Sequence, residues 1–224
     1  MSADEMLNRV AAGLGPFGLV PRGCFVFDQQ TQAPTMIGHV ASKSVIMVGH
    51  FGSAIWPHFV EWRRTHSNVT DPLDTWSKEV LFNVASQVGA IAVFPSDQPY
   101  QPFQQWAKRA EGLTASPLGL LIHPQYGLWH AFRGALLFDY EIEMPQPSSL
   151  THPCDICLEK PCLSACPVNA FSENSFEVGR CRDYLSSQGF ECMDNGCKAR
   201  LACPVGQEHA YLQDQQRFHM SAFA

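Results

Sequence analysis

The sequence has little charge and an excess of acidic over basic residues. Only 16% of its 224 residues are charged, with 15 Lys and Arg against 21 Asp and Glu, while 46% are hydrophobic. This composition supplies enough apolar side chains for a sizeable core and excludes a disordered chain. Because a phosphate backbone is bound by a dense basic surface, the net charge of −6 predicts that no nucleic acid is a partner.

Long hydrophobic runs and a basic leader are also lacking. No uninterrupted apolar stretch approaches the length that crosses a bilayer, so we expect no membrane partner. The first five residues are acidic and are followed by no apolar leader segment, so we expect no secretory signal peptide. Together these absences predict a cytoplasmic protein.

Strand and helix patterns alternate over residues 15–140. Val45–Val48 has the apolar pattern of a strand, and a helix is predicted to start near Asp74, which can cap it, and to continue to Val88. This alternation indicates an α/β domain. A break rich in proline and serine follows at Pro145–Ser149. The predicted domains are therefore residues 1–145 and 146–224.

Eight of the nine cysteines lie within fifty residues of the second domain, and only Cys24 lies outside. Crowded thiols in a reducing cytosol indicate metal ligands rather than a disulfide framework. Cys24 is expected to be a small buried apolar residue. The candidate metal ligands are Cys154, Cys157, Cys162, Cys166, Cys181, Cys192, Cys197 and Cys203.

The cysteine spacing favours iron–sulfur clusters over zinc. The first group has gaps of two, four and three residues and ends in Cys-Pro, close to the bacterial two-cluster run C-x2-C-x2-C-x3-C-P. The tetrapeptide Ala-Cys-Pro-Val occurs at Ala165–Val168 and again at Ala202–Val205, as expected of two related halves. Two four-cysteine zinc sites are the alternative, but zinc requires neither the Cys-Pro ending nor its repetition.

A two-cluster module exchanges its fourth ligand between halves, which predicts how the eight cysteines divide between two [4Fe–4S] clusters. The first set is Cys154, Cys157, Cys162 and Cys203, and the second is Cys166, Cys181, Cys192 and Cys197.

Three further segments resemble known families. Arg180–Leu185, Arg-Cys-Arg-Asp-Tyr-Leu, resembles a segment of epoxyqueuosine reductase, which like the reductive dehalogenases joins a corrinoid-binding domain to a two-cluster ferredoxin module. Ile122–Gly134, I-H-P-Q-Y-G-L-W-H-A-F-R-G, resembles I-H-P-R-F-G-G-W-F-A-I-R-G of the cobalamin-processing decyanase/dealkylase family. Val69–Asp74 is similar to L-T-D-P-V-D of the same family.

These resemblances imply a nitroreductase-like α+β sandwich of the α/β class, followed by a small bacterial-ferredoxin-like domain. They imply an iron–sulfur reductase that passes electrons from an external donor (ferredoxin, flavodoxin or a reductase) to a corrinoid, cobalamin, or to another small acceptor. A ferredoxin-type electron carrier without its own substrate and a cobalamin-binding handover protein are the alternatives.

The segment from Ile122 to Gly134 also carries the candidate acceptor site. The family resemblance places Arg133 where a thiol cosubstrate, glutathione, binds, and we expect Arg133, Trp129 and Gly127 to bind the acceptor. Candidate acids for a coupled protonation are His123, Tyr126 and His130. The alternative reading is structural: His123 caps a turn and Arg133 pairs with Glu141 or Glu143.

Two other features have both a functional and a structural reading. The turn Gly49–Ser53 could bind a phosphate or propionamide through backbone N–H groups, or could be an ordinary strand-to-helix turn. A set of aromatic residues at helical spacing could line a macrocycle pocket or form core: Trp56, Phe59, Trp62, Phe103 and Trp106.

Overall fold

The computed structural model describes residues 2–29, 31, 33–34, 41–142, 151–173 and 175–224, which form two compact units. The second unit contains residues 51–53, 113–130 and 151–224, and the first contains the other described residues. The predicted boundary between residues 145 and 146, with its Pro145–Ser149 break, lies outside the described residues. The division into two functional domains therefore stays a prediction.

The described elements alternate as the sequence predicts. In chain order they are α1 (Ala3–Leu14), β1 (Val20–Val26), β2 (Ser44–Phe51), α2 (Trp56–Thr65), α3 (Pro72–Val88), β3 (Ile91–Val93), α4 (Phe103–Glu111), β4 (Thr114–Ala115), β5 (Leu121–Ile122), β6 (His130–Phe138), α5 (Pro161–Ser164), β7 (Phe171–Ser172), β8 (Ser175–Phe176), α6 (Val178–Ser187), α7 (Phe190–Asn195), α8 (Lys198–Leu201) and α9 (Gln213–Phe223).

The first unit is built on a four-stranded sheet of order β1-β2-β6-β3. β1 is antiparallel to β2, and β3 is antiparallel to β6. β2 lies inside the sheet between β1 and β6 and is buried along almost its whole length. Helices α1 and α4 pack against the edge strand β1. The mixed α/β class is confirmed, and the antiparallel pairs are typical of an α+β arrangement.

Helix α3 begins close to Asp74, as the sequence pattern predicts, but with a different capping residue. It begins at Pro72, after Asp71, whose backbone is left-handed with φ +46°. Proline is favoured at the first helical position because its fixed φ suits the helix and it has no N–H to leave unpaired. The prediction that Asp74 caps this helix is therefore wrong. Asp74 lies in the first turn, where its negative charge is favourable.

The aromatic residues at helical spacing mostly form core. Trp56, Phe59, Phe103 and Trp106 are all buried, with exposed fractions of 9% or less. Trp62 is half-buried, and its Nε1–H donates to Glu79 Oε2 at 2.8 Å. Their structural reading is therefore confirmed for the described residues.

The second unit consists of short helices and two-stranded pairs, β4 with β5 and β7 with β8. Its core combines Leu118, Ile122 and Leu128 with cysteine side chains, so the segment 113–130 folds together with the cysteine module. Within the described residues, no helix is both long and apolar enough to cross a membrane. The ferredoxin-like fold of this unit stays a prediction.

Candidate functional site

Two cavities of similar size in the second unit are each lined by four cysteines. The first is lined by Cys154, Cys157, Cys162 and Cys203. The second is lined by Cys166, Cys181, Cys192 and Cys197. The structure thus groups the thiols in the two sets predicted from their spacing. That the sets bind metal stays a prediction.

Short helices position the cysteines around each cavity. Lys160 is left-handed with φ +39°, which lets the chain turn into α5 at Pro161 and places Cys162 on the first turn of that helix. Helix α8 packs against α5 and separates Cys197 from Cys203. The single turn of α8 therefore follows a cysteine of the second cavity, Cys197, and precedes a cysteine of the first cavity, Cys203.

Backbone N–H groups point at several of the sulfur atoms. The amide of Ala170 donates to Cys166 Sγ at 3.3 Å. Amides of Ala199 and Arg200 donate to Cys197, and that of Val205 donates to Cys203. Such bonds favour the thiolate form, which is the form that binds metal.

Burial opposes ionisation of the same thiols. It raises the pKa of Cys154 to about 11 and that of Cys181 to about 11, and nearby cysteines add to both shifts. Burial also raises the pKa of Cys162, Cys197 and Cys203. A metal centre that binds these sulfurs must therefore displace their protons.

Sets of four thiolates are used both by iron–sulfur clusters and by structural zinc sites. Among the described residues, which include all eight cysteines of the module, no three His, Cys, Asp or Glu side chains form a group that could hold one metal ion. A tetrahedral zinc site needs four ligand atoms within about 2.3 Å of one centre. A [4Fe–4S] cluster gives each thiolate its own iron and accepts a wider arrangement.

The segment Ile122–His130, here called the histidine loop, lies against the first cavity. Ile122 and Leu128 line that cavity together with Cys203. The loop is closed by paired backbone hydrogen bonds between His123 and Gly127, both 2.9 Å. The histidine loop and the cysteine module therefore belong to the same unit.

Gly127 allows the histidine loop to approach the backbone that follows Cys203. Its φ is +56°, and a Cβ atom at this position would lie 1.9 Å from the carbonyl oxygen of Val205. A side chain is excluded by both the backbone conformation and the contact. Gly127 thus has a packing role in this unit, and its predicted role in acceptor binding stays a prediction.

The three candidate acids have different surroundings. His123 Nδ1 accepts N–H bonds from Gln125 and Tyr126 at 3.1 and 3.2 Å, so the neutral ring carries its proton on Nε2. His130 is buried and its Nε2 lies 3.0 Å from the carbonyl oxygen of Leu121, to which it donates. The interpretation that His123 caps a turn is confirmed. Catalysis by these residues stays a prediction.

Two aromatic neighbours of the histidine loop were missed by the sequence reasoning. Phe51 stacks on Tyr126 with ring centroids 3.7 Å apart, and His209 lies 4.7 Å from the Tyr126 ring. His123 is 5.6 Å from Phe51. His209 follows Cys203 by six residues and forms no motif with the loop, so only the folded chain could reveal it.

Residues of the turn Gly49–Ser53 form hydrogen bonds with other residues of the protein. The Gly52 N–H donates to the Trp129 carbonyl oxygen at 2.7 Å, and Ser53 Oγ accepts from the Leu212 N–H at 2.8 Å. These contacts lie within the second unit and favour the reading of an ordinary turn.

Arg133 and Trp129 belong to different units of the chain. Arg133 belongs to the first unit, where its Nη2 donates to Asp74 Oδ1 at 2.5 Å. Asp74 is thus an ion-pair partner of Arg133 that the sequence did not predict. The predicted pairing with Glu141 or Glu143 stays a prediction, and Glu143 lies outside the described residues. Trp129 belongs to the second unit and is buried. Their roles in acceptor binding stay predictions.

Comparison with known proteins supports both resemblances. No family model matches the chain. The epoxyqueuosine reductase of Aliivibrio fischeri is 31% identical over 141 residues, a match that covers 54% of this chain and 36% of that protein. The chain is similar to epoxyqueuosine reductase. The match spans only about a third of that relative's length.

Solved structures extend the likeness to the fold. The B12-trafficking protein CblC of C. elegans, a homologue of human MMACHC, matches with a TM-score of 0.56 at 14% identity, over 97% of this chain and 91% of that one. Epoxyqueuosine reductase in complex with an epoxyqueuosine-modified tRNA-Tyr stem loop matches with a TM-score of 0.52 at 14% identity, over 94% of this chain and 66% of that one. Both predicted resemblances are therefore confirmed, the second as a likeness of fold.

The prediction that excluded nucleic acid is contradicted. A protein that is similar in fold, and whose family is similar in sequence, has been solved with a tRNA stem loop. Net charge does not decide this point, because it sums the whole chain, whereas a nucleic acid contacts only part of the surface. A net charge of −6 does not exclude a part of the surface that can bind a nucleic acid.

Proposed function

We propose that the chain is an iron–sulfur reductase that passes electrons through two [4Fe–4S] clusters to a corrinoid or another small acceptor. The observation that carries the proposal is the division of eight cysteines into two sets of four around two cavities. Backbone amides that donate to Cys166, Cys197 and Cys203 add support, because they stabilise thiolate ligands and raise cluster potentials.

We propose a direction for electron flow through the module from the residues that line its two cavities. When bound, the clusters would supply one-electron transfer, while the protein sets their position and potential. The first cavity shares Ile122 and Leu128 with the histidine loop, so we assign electron exit to this side. The second cavity is lined by Tyr184 and Met220 and by no residue of the loop, so we assign entry from an external donor to that side.

The histidine loop supplies the proton in this proposal. His123 holds a proton on Nε2 because backbone amides occupy its Nδ1. His130 is the weaker candidate, since it is buried and its Nε2–H already donates to a backbone oxygen. Tyr126 and Phe51 orient the His123 ring by packing around it.

Cobalamin is the acceptor that the likenesses favour. Support comes from the Ile122–Gly134 and Val69–Asp74 motifs and from the fold shared with a B12-trafficking protein. The residues that pair in the first unit, Arg133 and Asp74, come one from each motif. We keep a reducing, cytoplasmic setting as part of the proposal because eight free thiols require it.

A tRNA-borne group is the second candidate acceptor. It is favoured by the solved complex of epoxyqueuosine reductase with a modified tRNA stem loop. The match to the curated epoxyqueuosine reductase covers 36% of that protein, so activity of the whole relative cannot be transferred on identity alone.

The test is an anaerobic titration of the iron-loaded protein with cob(III)alamin, followed by visible absorbance before and after a reductant is added. We expect the corrinoid bands to shift on mixing, and cobalt to be reduced only after the clusters are reduced. A Cys154→Ser variant should still bind corrinoid and should reduce it far more slowly, because electron exit is removed.

Three other outcomes would contradict the proposal. Clusters that are reduced and reoxidised with no corrinoid response would indicate an electron carrier. Tight corrinoid binding without cobalt reduction would indicate a handover protein. A response to an epoxyqueuosine-containing stem loop in place of cobalamin would favour the second acceptor.

A further inference from the structure

Arg200 lies between the two sets of cysteines in the chain and in the fold. It belongs to α8, which separates Cys197 from Cys203. Its backbone N–H donates to Cys197, and its carbonyl oxygen accepts the Cys203 N–H at 3.2 Å. The main chain of Arg200 therefore contacts one cysteine of each cavity.

The side chain of Arg200 extends to the histidine loop. Its Nη2 donates to the Leu128 carbonyl oxygen at 2.5 Å. Its Cζ lies 4.5 Å from the ring centroid of Trp129 and 4.5 Å from that of Tyr211. A planar guanidinium suits such a position because it can stack on aromatic faces while its edge donates a hydrogen bond.

In the part of the chain that the structure describes, no carboxylate balances the charge of Arg200. Among the described residues, no Asp or Glu forms an ion pair with it, although Arg180, Lys198 and Arg217 nearby in the sequence each have one. The side chain is half-buried, so water screens it less than a fully exposed cation. A positive charge in this position is available to stabilise added negative charge close by.

We propose that Arg200 is a positioning residue that raises the reduction potential of the cluster held in the first cavity. The inference rests on the proposed function. Reduction adds one negative charge to a cluster, and a nearby cation in a poorly screened position stabilises the reduced form. The first cavity is the one affected because Leu128, to which the guanidinium is bonded, lines it.

Three variants separate charge from packing. Arg200→Gln removes the charge but keeps an amide that can donate to Leu128. Arg200→Lys keeps the charge but loses the planar fork that stacks on Trp129 and Tyr211. Arg217→Met is the matched control, because it removes one positive charge from an exposed side chain that is already paired with Asp194.

The experiment is an anaerobic redox titration of each iron-loaded protein, followed by electron paramagnetic resonance, with iron counted beforehand. The cluster of the first cavity is identified as the signal lost in Cys154→Ser. At a fixed applied potential, we expect Arg200→Gln to lower the ratio of reduced to oxidised first cluster about tenfold. This change corresponds to a reduction potential lower by about 59 mV for a one-electron couple. Arg200→Lys should change this ratio by less than about threefold, and Arg217→Met should leave it unchanged.

The proposal is overturned if Arg200→Gln keeps its iron and its potential, or if Arg200→Lys shifts the ratio as much as Arg200→Gln does. It is also wrong if Arg200→Gln loses iron, since Arg200 would then act on cluster assembly. Wild-type protein that binds no iron would instead refute the proposed function itself, which distinguishes the two failures.

Discussion

At the scale of single residues, the same kinds of side chain have different uses because their surroundings differ. Arg133 is half-buried and pairs with Asp74 at 2.5 Å, while Arg200 has aromatic and carbonyl partners. His123 and His130 differ in which ring nitrogen the backbone occupies. The residue type indicated that these side chains could bind an anion or donate a proton. Their hydrogen bonds and ion pairs determine which of these roles each side chain can take.

Arg133 can be tested against its own partner. If Arg133 binds the acceptor, Arg133→Ala should weaken acceptor binding about ten- to a hundredfold, the loss expected for one hydrogen bond to a charged group. Asp74→Asn leaves the guanidinium charged and should not weaken binding. Equilibrium titration with cob(III)alamin measures both, and the iron content should be unchanged. Equal losses in the two variants would mean that the ion pair is needed only for local structure.

Cys24 provides a prediction about pH. Burial raises the pKa of its thiol from 9.0 to about 11, and its Sγ donates to the Ile142 carbonyl oxygen at 3.7 Å. Between pH 9 and about pH 11 the folded thiol keeps its proton while the unfolded thiol loses it. Raising the pH through this window therefore favours the unfolded chain.

Two measurements check the behaviour of Cys24. Alkylation at pH 9, followed by mass spectrometry, should leave Cys24 unmodified in the folded protein and modify it in guanidinium chloride, because the thiolate is the reactive form. The loss of stability between pH 9 and pH 11 should be smaller in Cys24→Ala than in the wild type. Rapid alkylation of Cys24 in the folded protein would contradict its burial.

At the scale of elements, helices and strands formed where the hydrophobic period predicts, whereas the helix caps were only partly predictable. Helix α1 begins after Ser2, whose Oγ accepts the Glu5 N–H while the Glu5 carboxylate accepts the Ser2 N–H, a capping box. The cap of α3 was assigned wrongly because Asp74 was weighed as the cap, whereas Asp71 precedes Pro72, the first helical residue. The capping box of α1 and the first residue of α3 both depend on interactions between residues close together in the chain, and these can be recognised in the sequence.

The histidine loop gives a prediction at this scale. Gly127→Ala should destabilise the protein more than Gly119→Ala, although both glycines have positive φ. At Gly119, with φ +76°, an added Cβ meets nothing within 4 Å, so the cost is the backbone strain of roughly 1–2 kcal/mol. At Gly127 the Cβ would also meet the Val205 carbonyl oxygen at 1.9 Å.

Thermal unfolding of the iron-loaded variants and their iron content measure the difference. Because Val205 donates its N–H to Cys203, displacement of Val205 in Gly127→Ala should also reduce iron in the first cavity. Gly119→Ala should keep its iron. Equal unfolding temperatures and equal iron in the two variants would show that the contact between the loop and Val205 is unimportant.

At the scale of the whole molecule, the partition of cysteines can be tested by pairs of substitutions. Cys154→Ser and Cys203→Ser remove ligands from the same cavity, so the double variant should lose no more iron than either single variant, about four of eight atoms. Cys154→Ser combined with Cys181→Ser affects both cavities and should lose nearly all the iron.

Iron and sulfide analysis after reconstitution measures the outcome. Equal losses in the two double variants would contradict the partition. Full retention of metal by every single variant, with zinc in place of iron, would favour the two zinc sites instead.

The sequence by itself determined the local features and predicted which cysteines lie together. The order of helices and strands follows from the hydrophobic period, because that period depends on residues close together in the chain. The two sets of four cysteines were predicted from the exchange of a fourth ligand between the two Cys-Pro halves. The motifs at Ile122–Gly134 and Arg180–Leu185 also indicated the right relatives.

Only the tertiary structure decided what lies next to the cysteines. It brought Ile122 and Leu128 to the first cavity, and Arg200 to Leu128 across seventy-two residues of chain. It also paired Arg133 with Asp74, fifty-nine residues away. These contacts depend on how separate elements pack, and no period or spacing within the sequence contains that information. The distribution of charge also depends on the fold, since a net charge of −6 does not specify where on the surface each charged side chain lies.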